Sequence, residues 1–232
     1  MRAVIFDLWD TLVLYDVAHS RATERRIAEL LGTDPEQFHR VWRESRSERD
    51  GGSLADSFRA VGATDELLPE LLDLRRNAFR EIAEPQDGAL ETLRELRERG
   101  FRLGMISVCS EEVAELWEET PFAGLFDSTV FSCTVGLRKP DPAIYRLALD
   151  ELGVEPADAM FVGDGANDEL GGAERVGMRA VLILRPEQDE PYWEEAHGWQ
   201  PRITSIPEVL GVIAGEGWEL SRADDAKRKI DS

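Results

Sequence analysis

Cysteine, histidine and lysine are scarce in this chain of 232 residues, and long apolar runs are missing. The two cysteines, Cys109 and Cys133, form no CxxC pair, so neither a disulfide framework nor a zinc site is expected, and a reducing cytoplasm fits. No apolar run reaches the roughly 18–20 residues of a membrane-spanning helix, and no secretory signal is recognisable. We therefore expect a cytoplasmic protein that has no membrane partner.

Lysine is the most informative of the rare residues. Of the 27 basic residues only three are lysines, Lys139, Lys227 and Lys229, and all the others are arginines. The last two lie in the polar C-terminal tail, so Lys139 is the only lysine in the first 226 residues. Because an ammonium is a compact point charge whereas a guanidinium is a planar fork, this exception indicates a site that requires a point charge.

Acidic residues outnumber basic ones, and the formal net charge is −20. Such a field repels nucleic-acid phosphates and anionic membranes, so we expect no nucleic-acid partner. It also repels an anionic substrate, which must therefore meet a local cationic site or a metal ion.

The chain divides into a helical segment and a segment of alternating strands and helices. Residues 14–84 show helical spacing and no strand pattern, with helices predicted over 18–31, from 35 onward, over 53–61 and over 64–82. The remainder predicts strands over 3–6, 101–107, 129–131, 159–162, 180–184 and 203–206, with intervening helices over 89–99, from 111, over 141–152, 168–176 and 207–214. Strands that alternate with helices favour an α/β fold, a Rossmann-like parallel sheet with right-handed crossovers.

Polar residues follow four of the predicted strands, where an apolar core residue would be the default. They are Asp7, Ser107, Lys139, and Asp164 together with Asp168. In an open parallel sheet the ligand site lies beyond the carboxyl ends of the strands, so we expect these side chains to share one crevice. Carboxylates can hold Mg²⁺ or act as a nucleophile, and a lysine and a hydroxyl can bind the charged oxygens of a transferred group.

These four positions resemble the motifs of the haloacid dehalogenase superfamily. The segment from Asp7 to Thr11 is similar to the family's DxDxT motif, and Ser107 to its serine or threonine after the next strand. Lys139-Pro140 and Gly163-Asp164 with Asp168 resemble the third and fourth motifs. The resemblance covers residues 1–13 and 85–215, and the helical insert is similar to the cap domain with which this family selects substrates.

The resemblance implies a role for each residue. Asp7 is expected to be the nucleophile and a metal ligand, alongside the main-chain carbonyl of Trp9, Asp164 and, directly or through water, Asp168. Thr11, Ser107 and Lys139 are expected to complete the catalytic set by binding the phosphoryl group. The residues expected to contact the substrate are Trp9, Asp10, Val108 and Cys109.

Position 9 departs from the family pattern, because phosphatases of the family have there an aspartate that acts as general acid and base. An indole cannot exchange a proton in that way. Three interpretations follow: a phosphatase that is slow on poor leaving groups, a proton supplied by Asp10 or a cap residue, or a substrate such as a haloacid that needs no acid. Family dehalogenases have tyrosine at this position, but they use no metal and have no acidic residue matching Asp164.

We therefore predict a Mg²⁺-dependent phosphatase that hydrolyses a small phosphate ester through an aspartyl-phosphate, as a monomer or homodimer. The alternatives are a 2-haloacid dehalogenase and a catalytically impaired protein that binds phosphate or a partner. The predicted domains are a core of 1–13 and 85–222, a cap of 14–84 and a tail of 223–232. In the cap, Arg43, Arg46 and Arg49 are equivalent candidates to face an anion. Trp193, Trp199 and Trp218 are expected to pack the C-terminal segment.

Overall fold

A computed structural model describes residues 1–184 and 188–215. The predicted tail (223–232), the last predicted core residues (216–222) and Trp218 lie outside the described residues. One sheet of six parallel strands forms the core, in the order β3-β2-β1-β4-β5-β6. The strands are β1 (Ala3–Phe6), β2 (Arg102–Ser107), β3 (Ser128–Phe131), β4 (Ala159–Gly163), β5 (Arg179–Ile183) and β6 (Arg202–Ile203). The predicted α/β class is thus confirmed.

The central strand β1 places the site. Its four residues are fully buried, as expected for an apolar run at the centre of a parallel sheet. Alternate side chains enter different clusters: Val4 and Phe6 pack on one face of the sheet, Ala3 and Ile5 on the other. Strand β1 pairs with β2 on one side and β4 on the other, so the strand order reverses at β1. A crevice at the carboxyl end of the strands is expected at such a switch point.

The inserted helices form a hydrophobic cluster of their own. They are α1 (Val17–Leu31), α2 (Pro35–Glu44), α3 (Arg46–Arg49), α4 (Leu54–Ala60) and α5 (Leu68–Ile82). Helix α1 begins at Asp16, whose side chain accepts a hydrogen bond from the His19 amide. The rings of Phe38, Trp42 and Phe58 stack at centroid distances of 5.4 and 5.0 Å and form the centre of this cluster.

Helix α5 contacts both hydrophobic clusters. Its residues Leu68 and Leu71 belong to the cluster of the insert, whereas Phe79 packs in the cluster beneath the sheet. Arg76 and Arg80 of α5 pair with Glu115 and Glu119 of the core at 2.9 and 2.8 Å. Helix α5 is thus one of the places where the insert is held against the core.

Six further helices flank the sheet: α6 (Ala89–Glu98), α7 (Glu111–Glu115), α8 (Ser132–Val135), α9 (Pro142–Leu152), α10 (Glu169–Arg175) and α11 (Glu208–Gly215). Most bounds lie within one or two residues of the prediction. The strand predicted over 203–206 is shorter, because the chain turns at Ser205, whose hydroxyl donates to Glu208 at 2.8 Å. Across the described part of the chain, none of the helices combines the length and apolarity needed to cross a bilayer.

Candidate active site

The first two carboxylates of the site lie directly after the neighbouring strands β1 and β4. Asp7 directly follows β1, and its amide donates to the carbonyl of Val162 in β4 at 2.9 Å. Asp164 directly follows β4. Because the two strands are paired in parallel, both carboxylates lie at the carboxyl edge of the sheet.

Glu169, the first residue of α10, completes an acidic group with these two. One carboxylate oxygen from each of Asp7, Asp164 and Glu169 lies within 4.8 Å of the others. Glu169 is fully buried, and its Oε1 accepts from the amide of Gly165 at 3.1 Å. Glycine is needed at position 163, because a Cβ there would lie 2.0 Å from Glu169 Oε1.

Lys139 is the counter-charge of this acidic group. Its Nζ contacts Asp7 Oδ1 and Glu169 Oε2, and it lies 5.3 Å from the ring centroid of Phe161. Burial alone would lower the pKa of Lys139, but the charges of Asp7 and Glu169 raise it above its usual value. Lysine remains an ammonium here, which agrees with the expectation that this position requires a point charge. We call Asp7, Lys139, Asp164 and Glu169 the floor.

The negative charge of the floor exceeds its positive charge. Burial, followed by the charge of Asp7, raises the pKa of Asp164 to about 6. Burial also raises the pKa of Glu169 well above its usual value. Ionising all three carboxylates beside one ammonium would leave two negative charges uncompensated, and these raised pKa values reflect that cost, which a further cation would remove. Hard oxygen ligands with this residual charge fit a divalent ion such as Mg²⁺.

Asp168 does not join the acidic group, contrary to the expected placement. Its Oδ2 accepts from Arg175 Nη1 at 2.7 Å, and its side chain is 37% exposed. Asn167 and Asp168 both adopt positive φ, 53° and 55°, so α10 begins one residue later and directs Glu169 inward. Sequence reasoning missed Glu169, although it shares a helical face with the small buried residues three and four positions later, Gly172 and Ala173.

Two buried hydroxyls lack partners at the strand ends. Thr11 and Ser107 are fully buried, and neither Thr11 Oγ1 nor Ser107 Oγ has a hydrogen-bond partner among the described residues. Buried hydroxyls are normally hydrogen-bonded, so each of these two retains an unused donor and unused lone pairs. Their chemistry fits the oxygens of a phosphoryl group.

The loop after Asp7 contains Trp9, which departs from the family pattern, and Asp10. The Trp9 ring packs edge-on against Tyr15 and Phe79, at centroid distances of 5.8 and 6.1 Å. Asp10 adopts a positive φ of 56°, and its Oδ1 accepts from the Tyr15 amide at 2.9 Å. Asp10 thus helps to shape the loop, and Trp9 provides an apolar wall.

Cys109 is held by its backbone and is not a nucleophile. Its amide donates to Ser132 Oγ at 3.0 Å, and burial raises the pKa of its thiol well above the usual value. The thiol therefore stays protonated, whereas a reactive cysteine needs a thiolate.

A cavity of about 640 Å³ lies between the floor and the inserted helices. The predicted site residues that line it are Asp7, Trp9, Asp10, Val108, Cys109, Lys139 and Asp164. Thr11, Ser107 and Asp168 are not among the lining residues. The opposite side, which we call the cap wall, is formed by Trp42, Arg43, Arg46, Arg49 and Arg75.

Trp193 is a cavity residue that was expected to pack the C-terminal segment. Its Nε1 donates to Asp164 Oδ2 at 3.1 Å, and its ring stacks edge-on with Tyr192, which also lines the cavity. Trp199 does pack in the C-terminal part, with Nε1 3.3 Å from the Ala180 carbonyl. Nothing local predicts the contact of Trp193, which joins residues 29 positions apart.

The sequence of this chain is similar to those of known proteins. A family model described as a haloacid dehalogenase-like hydrolase matches residues 1–177. The chain is 33% identical over 202 residues to a glyceraldehyde 3-phosphate phosphatase of Methanopyrus kandleri, across 80% of this chain and 84% of the relative. It is 29% identical over 229 residues to (S)-2-haloacid dehalogenase 4A of Burkholderia cepacia, across 92% and 95%.

A solved structure supports the likeness of fold. The 2-haloacid dehalogenase of Pseudomonas syringae pv. Tomato DC3000 superimposes with a TM-score of 0.71 at 23% identity, covering 92% of this chain and 98% of the other. The family model matches residues 1–177, and the motif residues lie together at the sheet edge. The chain is therefore a member of the haloacid dehalogenase-like hydrolase family.

Proposed function

We propose that this hydrolase is a Mg²⁺-dependent phosphatase of small phosphate esters and that Asp7 is its nucleophile. The observation that carries the proposal is the composition of the floor. With all three carboxylates ionised, the two negative charges that Lys139 leaves uncompensated would match one divalent cation, and the unpaired hydroxyls of Thr11 and Ser107 match the oxygens of a phosphoryl group. The relative from Methanopyrus kandleri is named as a glyceraldehyde 3-phosphate phosphatase, which supports the same class of reaction.

The ion would be held by Asp7, Asp164 and the main-chain carbonyl of Trp9, with Glu169 in the place that we expected for Asp168. When bound, Mg²⁺ neutralises the phosphoryl oxygens so that an anionic nucleophile can approach them. Lys139 holds Oδ1 of Asp7, and Oδ2 has no hydrogen-bond partner among the described residues. The lysine thus orients the nucleophile and opposes the charge that develops on the transferred group.

Two displacements at phosphorus complete the reaction. In the first, a carboxylate oxygen of Asp7 bonds to phosphorus, the ester P–O bond breaks and the alcohol oxygen leaves with its electron pair and takes a proton from solvent. In the second, water attacks the phosphorus of the aspartyl-phosphate and gives up a proton to solvent, the bond to Asp7 breaks and inorganic phosphate departs. Thr11 and Ser107 donate hydrogen bonds to the phosphoryl oxygens throughout.

The proton for the leaving oxygen does not come from position 9, because Trp9 has no acidic group. Loss of general acid help costs about 10²–10⁴-fold in rate. We therefore expect good leaving groups such as p-nitrophenolate to depart fast and alkoxides slowly. Trp9→Asp is expected to raise the hydrolysis of alkyl phosphates more than that of p-nitrophenyl phosphate.

The test is hydrolysis of p-nitrophenyl phosphate with Mg²⁺, with and without a chelator. Phosphate release that the chelator abolishes and added Mg²⁺ restores is the expected result. Release that persists in chelator contradicts the proposed role of the metal.

Dehalogenation is the second candidate, favoured by the aromatic residue at position 9 and by the likeness to the Burkholderia cepacia dehalogenase. Halide release from 2-chloropropionate that is insensitive to chelator would establish it instead. Absence of both activities would favour the third alternative, a protein that binds phosphate or a partner without turnover.

A further inference from the structure

The guanidinium of Arg49 is buried in the cap wall. Only 7% of the residue is exposed, although it lines the cavity. It lies 4.2 Å above the ring of Trp42, and its Nη1 donates to the Trp42 carbonyl at 2.6 Å. These contacts fix the plane of the guanidinium and occupy one of its five donors.

Arg49 lacks a carboxylate partner. No acidic oxygen of the described residues lies within 4.0 Å of its nitrogens, and its other N–H groups make no hydrogen bond to described residues. Burial lowers the pKa of Arg49 to about 10 although the nearby charge of Asp50 opposes this shift, so Arg49 remains a cation at neutral pH. Buried charges in proteins are normally paired, so an unpaired one that borders a cavity indicates a missing anion.

The acidic residues near Arg49 are already taken by other arginines. Glu112 pairs with Arg75. Asp50 pairs with Arg46 at 3.2 Å and lies 3.8 Å from Arg138. Both carboxylates are thus already paired with other arginines. Because Arg46 pairs with Asp50, it is excluded as a candidate for binding an anion, which leaves Arg43 and Arg49.

Arg43, the remaining candidate, is exposed and is not fixed by any contact of the described residues. Holding such a side chain in one geometry costs conformational entropy on binding, whereas Arg49 is already held on Trp42. Burial and preorganisation therefore favour Arg49.

Arg49 is anchored to the loop that carries Ser107. The carbonyl of Asp50, the next residue, accepts from Ser132 Oγ at 2.7 Å, and the same hydroxyl accepts from the Cys109 amide at 3.0 Å. The guanidinium thus borders the same cavity as Asp7, Lys139 and Asp164, and two hydrogen bonds connect the residue after Arg49 to Cys109, two positions after Ser107.

We infer that Arg49 binds a carboxylate of the substrate, so that the enzyme acts on phosphate esters that also carry a carboxylate. This inference rests on the proposed function, because it assigns the phosphoryl group to the floor and the second anion to the cap wall. A guanidinium offers two parallel N–H donors that match a carboxylate. In a chain of net charge −20, a local cation is also needed to admit a substrate with two anionic groups.

The test uses two ligands that differ at one group. 3-Phosphoglycerate carries a carboxylate where glycerol 3-phosphate carries a hydroxymethyl group. The inhibition constant of each against p-nitrophenyl phosphate is measured for the wild type, Arg49→Gln and Arg49→Lys. We expect the wild type to bind 3-phosphoglycerate at least tenfold more tightly, Arg49→Gln to lose that preference, and Arg49→Lys, which keeps the charge on Trp42, to retain part of it.

Arg26→Gln is the matched control, because Arg26 is an exposed cap arginine that pairs with Glu29 at 3.1 Å and does not line the cavity. It should keep the wild-type preference. Equal constants for the two ligands in the wild type, or an undiminished preference in both Arg49 variants, would overturn the inference. If the protein hydrolyses no p-nitrophenyl phosphate, the proposed function fails separately, and isothermal titration calorimetry with the same two ligands measures the preference directly.

Discussion

The floor and the cap wall border the same cavity, but they hold their charges differently. The floor residues lie at the carboxyl edge of the parallel sheet, and Lys139 compensates part of their negative charge by contacting Asp7 and Glu169 together. The cap wall is built on helices, and its buried Arg49 has no carboxylate within 4.0 Å in the part of the chain that the structure describes. One side thus has an excess of negative charge and the other an excess of positive charge.

This difference separates reaction from recognition. Side chains at strand ends are fixed by the sheet and its hydrogen bonds, so the floor is preorganised for one chemical step. Helices of the insert have a hydrophobic cluster of their own around Trp42 and can vary without disturbing that sheet. We expect substitutions in the floor to change kcat, and substitutions in the cap wall to change which substrate binds.

The largest effect is expected from Asp7→Asn. The amide is not a nucleophile, so kcat should fall by at least about 10⁴-fold. The fold should persist, because the substitution removes one of three crowded carboxylates and leaves Lys139 paired with Glu169. Steady-state kinetics and a thermal melt check both points. Substantial residual turnover in a variant verified by mass spectrometry would contradict the assigned nucleophile.

A smaller loss is expected from Lys139→Met. Removal of one group that stabilises the transferred charge costs about 10²–10³-fold in kcat. The variant also leaves the carboxylates of Asp7 and Glu169 without their counter-charge, so the free energy of unfolding should fall by about 3–5 kcal/mol in the absence of metal.

Lys139→Arg tests whether the floor requires only a positive charge or also the compact shape of an ammonium. It keeps the positive charge that the floor needs, so it should be more stable than Lys139→Met while remaining impaired in turnover, since a planar fork cannot replace a point charge contacting two carboxylates. A wild-type kcat in Lys139→Arg would show that a guanidinium serves equally well at this position. The scarcity of lysine elsewhere in the chain would then not indicate that position 139 requires an ammonium.

The raised pKa of Asp164 predicts that the free energy of unfolding depends on pH when no metal is bound. Its pKa is raised from 3.8 to about 6 in the folded state, so the folded protein binds more protons than the unfolded chain between these values. Stability should therefore fall as pH rises from about 4 to 6. Asp164→Asn removes this effect and should be more stable than the wild type at pH 7 by about 1–3 kcal/mol, yet equal to it near pH 4.

Urea unfolding in chelator at both pH values measures this difference. Added Mg²⁺ is expected to reverse the order at pH 7, because it stabilises only the protein that retains the carboxylate. A pH-independent difference between the two proteins would show that the pKa of Asp164 is not raised in the folded state.

The smallest effect is expected from Arg80→Gln, at the exposed attachment of the insert. Arg80 and Glu119 pair at 2.8 Å with side chains that are 43% and 54% exposed. Exposed pairs contribute roughly 0.2–1 kcal/mol, and salt weakens them. A double-mutant cycle with Glu119→Gln at low and high salt gives the coupling energy. A value above about 2 kcal/mol would mean that this attachment is stronger than its exposure implies.

The sequence predicted the arrangement of the fold because its signals are local. Apolar runs such as Ala3–Phe6 and helix starts such as Asp34-Pro35 depend on a few neighbouring residues. Parallel pairing then brings the strand ends together whatever lies between them, so Asp7 and Asp164 could be assigned to one site. The likeness to a family added the expected role of each residue.

The remaining site residues could not be predicted because they depend on backbone angles and distant contacts. Asn167 and Asp168 adopt positive φ, which moves the start of α10 by one residue and brings Glu169 into the floor. Trp193 contacts Asp164 from 29 positions further along the chain. The pairing of Asp50 with Arg46 distinguishes three cap arginines that look alike in sequence.

The shared helix α5 limits how freely the insert can be exchanged for another in evolution or engineering. A graft that replaces residues 14–84 would also remove Phe79, which packs beneath the sheet and against the Trp9 ring. The loop beside the nucleophile would then lose a neighbour together with the old specificity. A successful chimaera should therefore retain an aromatic residue at position 79, or join the new helices within α5 rather than after it.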